Sequence, residues 1–115
     1  MINKESLKEF FIHMGMDTGK TMLELFKGSQ TDYVKNIRNS IEKKDYEELA
    51  GNLHQFKGAS ALLKADVLVD FLIEFEKKIK EGKIETVEED FQHLLDLYHK
   101  TIDEMDNLFQ EMEDL

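Results

Sequence analysis

The chain has no proline and no cysteine in 115 residues. Each absence excludes something. Without cysteine there is neither a disulfide framework nor a thiolate zinc site. Without proline, and with Leu, Glu, Lys and Met abundant, the composition favours an all-α protein. Long apolar runs are missing too, and nothing approaches the roughly 20 residues that a membrane span needs. The opening Met1-Ile2-Asn3-Lys4-Glu5-Ser6 leads into no apolar stretch, so no signal peptide is read there and the expected compartment is the cytoplasm. Positive charge is scarce: 15 Lys and Arg face 25 Asp and Glu, for a formal net charge of -10. That balance argues against nucleic acid or an anionic membrane as the main partner. Hydrophobic residues at 41% and charged residues at 35% suit a folded globular chain rather than a disordered one. The length suits one domain over 1–115 with a modest core.

The most informative stretch is Leu53-His54-Gln55-Phe56-Lys57-Gly58-Ala59-Ser60-Ala61-Leu62-Leu63. It forms the second half of a helix expected over 45–63. Tyr46, Leu49, Leu53, Phe56, Ser60 and Leu63 follow at spacings of three, four, three, four and three, which is one seam facing a core. His54 falls next to that seam, about 100° round the helix. Its face carries Ala50 and Gly51 on one side and Lys57, Gly58 and Ala61 on the other. Apart from Lys57 these are the smallest side chains available. Each helical Gly costs about 1 kcal/mol relative to Ala, so two on one helix suggest a local use: leaving the imidazole bare and approachable.

Read in order, the first helix is expected over 4–14, capped by Asn3, stopped by Gly15, with a stripe of Ile2, Leu7, Phe10, Phe11 and Met14. Asp17 or Thr18 is expected to cap a second helix over 18–43, with a kink at Gly28. The rival reading splits it into two helices, with Ser29 as the second cap and Asp32 at N3. Asp45 caps the helix bearing His54, with Glu47 and Glu48 in its first turn. The chain turns near Lys64-Ala65, and Asp66 caps a helix to about Glu81 that buries Val67, Leu68, Phe71, Leu72, Phe75 and Ile79, with Gly82 ending it. Thr86 and Glu89 form a capping box for a last helix of roughly 26 residues, about 39 Å long, which is expected to outrun the bundle and fray after Met105. Short connections predict antiparallel neighbours: an antiparallel four-helix bundle with a short extra N-terminal helix.

Neutral imidazole is a good nucleophile towards phosphorus, and histidine titrates near neutral pH. Lys57, one turn on, can reach phosphate oxygens. Ser60 lies on the seam, where its hydroxyl is expected to bond the preceding turn. If the turn is centred near Ala65, positions whose numbers sum to about 130 face each other, and His54 and Glu76 do. A carboxylate on one imidazole nitrogen fixes the tautomer and raises the nucleophilicity of the other.

His54-Gln55-Phe56-Lys57-Gly58-Ala59-Ser60 resembles the signature of the histidine-containing phosphotransfer (HPt) domain, roughly His-x-x-Lys-Gly-x-Ser. Ala65 and Leu68 fit the family's Gly-Ala-x-x-Leu segment, and Phe75-Glu76 and Gly82 fit the Leu-Glu and Gly that follow. Lys64 departs from it, standing where the family usually has Gly. The resemblance extends over nearly the whole chain. It implies a phosphoacceptor His54, with Lys57 and Glu76 (where the family can have Glu or Gln) in support. It also implies docking by receiver domains of response regulators, or by a hybrid sensor histidine kinase, over Ala50, Gly51, Gly58 and Ala61. No cofactor of its own is expected, the Mg²⁺ being supplied by the receiver. A monomer is expected.

Three other readings compete. One is a helical adaptor without phosphotransfer; the second is the phosphoacceptor part of a chemotaxis-type kinase. The third, a metal-binding bundle, lacks the Glu-x-x-His pairs such a site uses, since His93 has Glu89 at -4. No P-loop, nucleotide-binding glycine motif or Ser-His-Asp grouping is present, so the chain is not expected to bind ATP.

Overall fold

The first backbone amides of a helix need acceptors from outside its ladder, and short polar side chains supply three of the starts here. The computed structural model describes residues 1–28 and 32–114. It has six helices: α1 (Lys4–Met14), α2 (Met16–Phe26), α3 (Tyr33–Lys43), α4 (Tyr46–Leu62), α5 (Asp66–Lys80) and α6 (Val87–Glu113). Among the described residues there is no strand. Asn3 Oδ1 accepts from the Ser6 N–H at 3.2 Å, Asp32 from Lys35 at 3.0 Å and Asp45 from Glu48 at 3.0 Å, opening α1, α3 and α4.

Elsewhere the starts differ from expectation. The helix expected over 18–43 is two, α2 and α3, separated after Phe26, with Gly28 at φ +96°. Asp32 is the cap of α3 rather than its N3 residue; Ser29, the alternative cap, lies outside the described residues. The α2 helix starts at Met16 directly after Gly15, so neither Asp17 nor Thr18 caps it. Asp66 is the first residue of α5 and not its cap; the Val67 N–H instead donates to the Met1 carbonyl at 3.2 Å. Thr86 precedes α6 with ψ 17°, short of the extended conformation that aims a hydroxyl at the first turn. Its hydroxyl donates to Asp90 Oδ2 at 2.9 Å, and no capping box with Glu89 forms.

The α4–α5 connection sets the register of the site. The Ala65 N–H reaches the Ser60 carbonyl at 3.0 Å and the Lys64 N–H reaches Ala61 at 3.1 Å, the paired bonds of a Schellman turn. Lys64 takes the left-handed position, φ 60°, that glycine ordinarily occupies. Its carbonyl accepts from the Asn3 N–H at 2.9 Å, tying the N-terminal strap to the turn.

The α4 helix packs between α3 and α5, α5 also meets α6, and α6 reaches back to α3. The fully buried seam of α4 is Leu49, Leu53, Phe56 and Ser60. Around Phe56 gather Tyr33, Tyr98 and Phe26, at ring separations of 5.2, 5.2 and 5.6 Å. The Tyr98 hydroxyl donates to the Phe26 carbonyl at 2.6 Å, fastening the end of α2 to α6. The far end of α6 does not fray after Met105. The helix continues to Glu113, with Leu108 and Phe109 buried and Phe109 set edge-on to Phe11 of α1 at 5.6 Å. Two residues expected in the core are exposed: Met14, the last residue of α1, and Val67, which lies off the α5 seam of Leu68, Leu72, Phe75 and Ile79.

Candidate functional site

The site follows from the phase of α4. Leu53 is fully buried, so the next residue projects from the shoulder, and the His54 side chain is 66% exposed. Ala50 is half-buried beside it and Gly51 is exposed; one turn further on, Gly58 and Ala61 are exposed. A Cβ added at Gly51 or Gly58 would meet nothing within 4 Å. These glycines therefore relieve no contact inside the chain. Their effect is to leave the face around the imidazole open.

The Schellman turn brings Glu76 of α5 opposite His54. Its carboxylate is 7% exposed and has three nitrogen partners. Oε1 lies 3.4 Å from His54 Nδ1 and 3.3 Å from Lys57 Nζ, while Oε2 lies 2.7 Å from Lys80 Nζ. Burial pushes the Glu76 carboxyl up, but hydrogen bonds from Lys80, Lys57 and His54 more than offset it and hold the group below the ordinary carboxylate value. It is therefore ionised near neutral pH and can only accept. The imidazole nitrogen facing it, Nδ1, then carries the hydrogen, and Nε2 keeps its lone pair on the exposed side.

An open cleft of about 700 Å³ adjoins the ring, lined among others by Tyr46, Ala50, Gly51, Ile79 and Lys80. Gly58 and Ala61 stand outside it, on the other side of His54 along the same helix. The Ser60 hydroxyl is buried and donates to the Phe56 carbonyl at 2.8 Å, so it is occupied within the helix. Of the other histidines, His93 sits edge-on to Phe71 at 4.6 Å, away from the cleft. Among the described residues no group of three or more His, Asp or Glu is placed to hold a metal ion.

The structure thus brings His54, Lys57 and Glu76 together, with Ala50 and Gly51 at the rim. Lys80, whose bond to Glu76 is the shortest of the three, was not expected from the sequence. The signal was available, because Glu76 and Lys80 are an i,i+4 pair on one helix. Nor were Tyr46 and Ile79 expected there; they wall the cleft while also packing in or against the core, as their apolar spacing predicts.

The described residues are all-helical and carry an exposed histidine backed by a buried carboxylate. The family described as Hpt domain matches residues 21–114, from within α2 through the whole of α6, and the chain belongs to it. Domains of this family take part in histidine phosphotransfer with receivers and kinases. No curated protein and no solved structure matches the chain. No helix among the described residues is long and apolar enough to cross a membrane.

Proposed function

We propose that this protein is a relay intermediate of a multistep phosphorelay, acting as a single Hpt domain in the cytoplasm, as a monomer. The observation that carries the reading is His54, its side chain 66% exposed, with Nδ1 turned to an ionised, buried Glu76. The Nε2 lone pair attacks the phosphorus of an aspartyl phosphate on a receiver domain. The P–O bond to the aspartate breaks, and the carboxylate leaves with the electron pair. The imidazole keeps its Nδ1 hydrogen and becomes cationic, which strengthens its bond to Glu76. The same steps reversed deliver the group to a second receiver. The receiver supplies the Mg²⁺ and most of the charge stabilisation, and this chain supplies a positioned nucleophile and a docking face. Ala50, Gly51, Gly58 and Ala61 form that face, with α3–α6 read as the antiparallel four-helix unit that presents it and α1 and α2 packed at the end where α4 turns into α5. A modest, transient interface suits a module that must leave one receiver before meeting the next.

The test is transfer from a panel of receiver domains charged with acetyl phosphate and Mg²⁺. The expected product is an acid-labile, base-stable phosphoryl adduct on the wild type that His54→Gln lacks. Receivers that bind without labelling would point to an adaptor. Labelling only by an ATP-dependent kinase domain would point to the chemotaxis-type reading. Label that persists in His54→Gln would place the chemistry on another residue.

A further inference from the structure

The three partners of Glu76 are not equivalent. His54 and Lys57 share one oxygen, Oε1, at 3.4 and 3.3 Å, while Lys80 alone takes Oε2, at 2.7 Å. Lys80 also stands between two clefts: the one beside His54, and a second lined by Lys57, Ile73, Lys77 and Glu81. We propose that Lys80 is a positioning residue for phosphotransfer, holding Glu76 in place and charge-balanced so that Lys57 can leave the carboxylate for the incoming phosphoryl group. This rests on the relay reading above.

Charge and geometry give the two lysines different parts. Before transfer, one buried carboxylate holds two ammonium groups and an imidazole N–H. The phosphoryl group brings about two negative charges to Nε2, on the far side of the ring. Lys57, one helical turn from His54 and shared with it on Oε1, is a cation able to turn towards it. When it does, Glu76 loses a partner just as a second anion arrives. A carboxylate only 7% exposed cannot recover that loss from water. Lys80 remains on Oε2 throughout, because it sits one turn along the same helix and its bond does not involve Oε1. Without Lys80, Oε2 is a buried acceptor with no partner. The nearest remaining donor is Lys57, so the carboxylate turns to it, loosening its hold on Nδ1 and keeping Lys57 from the phosphoryl group.

The experiment compares wild type, Lys80→Met and Lys80→Arg. Lys80 is 63% exposed, so these substitutions leave the core untouched. Two measurements are made. The first is the His54 tautomer, read from ¹⁵N shifts of both ring nitrogens in the unphosphorylated protein. The second is receiver-to-protein transfer, resolved into limiting rate and half-saturation. In Lys80→Met the Nδ1–H tautomer should lose population and the limiting rate should fall on the order of tenfold, with half-saturation unchanged. Lys80→Arg should restore both. An unchanged tautomer in Lys80→Met overturns the proposal, and so does a rise in half-saturation at unchanged limiting rate, which would make Lys80 a docking contact. If no receiver labels even the wild type, the relay reading fails; the tautomer measurement then still decides whether Lys80 positions Glu76.

Discussion

Gly51 and Gly58 separate stability from function within single residues. Neither has a positive φ, and neither would clash with an added Cβ. Each weakens α4 relative to alanine by about 1 kcal/mol. Gly51→Ala and Gly58→Ala should therefore each raise stability by about that amount, seen in urea denaturation as a higher midpoint at unchanged slope. Gly51→Gln and Gly58→Gln should also unfold later than wild type, because glutamine is a better helix former, yet slow transfer from a receiver by roughly tenfold or more through the volume they add to the proposed docking face. Transfer at the wild-type rate in the glutamine variants would remove these positions from that face. Lys64 is the reverse case. It holds a left-handed conformation that costs an L side chain about 1–2 kcal/mol, so Lys64→Gly should stabilise the fold by about 0.5–1 kcal/mol after the greater freedom of an unfolded glycine is subtracted. His54, Lys57 and their small neighbours were legible in the sequence because they lie close together along one helix. Lys80 was not, because a surface Lys four residues after a Glu has no special meaning until the Glu is known to be buried.

Between elements, two contacts decide how α1 and α2 join the rest. Gly19 is buried against Phe11, whose ring would come within 2.6 Å of an added Cβ. Phe11 is fully buried and wedged against Phe109, so it cannot swing aside. Gly19→Ala should cost about 1–3 kcal/mol despite the better helix propensity of alanine, measured by denaturant unfolding. This outcome is opposite in sign to that at Gly51, for a reason only the packing of α1 supplies. Tyr98 is the second contact. Tyr98→Phe keeps the ring cluster but leaves the Phe26 carbonyl without its partner, at a cost of about 1–3 kcal/mol. The start of α3 was half legible. The apolar phase runs almost unbroken from Met22 to Ile41, which favoured one helix, and the break after Phe26 falls where Gly28 takes φ +96° and a tyrosine 72 residues later holds the end of α2. Periodicity carries no information about such a partner.

For the molecule as a whole, stability should depend on pH at both limits. Burial, with smaller contributions from Asp32 and Tyr33, raises the Tyr98 hydroxyl from 10.0 to about 12. Above pH 10 the unfolded chain loses this proton while the folded one keeps it. The stabilisation is complete below 10 and fades as pH rises towards 12, by about 1.4 kcal/mol per pH unit. Tyr98→Phe should flatten this limb of a denaturation-against-pH profile; an unchanged slope would show that the hydroxyl titrates alike in both states. Glu76 acts at the other limit. Its folded carboxyl is held below the ordinary 4.5, so its contribution is present above that value and is lost as pH falls through the lower one. Glu76→Gln should reduce the acid sensitivity.

By itself the sequence determined the helical class, since a proline-free chain with apolar residues every three or four positions can bury its seam in few other ways. It also determined which histidine stands beside small residues, and that a hairpin turning near Ala65 would set Glu76 across from it. Tertiary structure decided what spacing cannot encode. The helices α2 and α3 divide where Tyr98 takes the carbonyl of Phe26. The end of α6 persists because α1 covers it. Glu76 gathers three nitrogen donors, two of them ammonium groups, because burial leaves it little water to bond instead. Each of these depends on which distant groups meet once the helices pack.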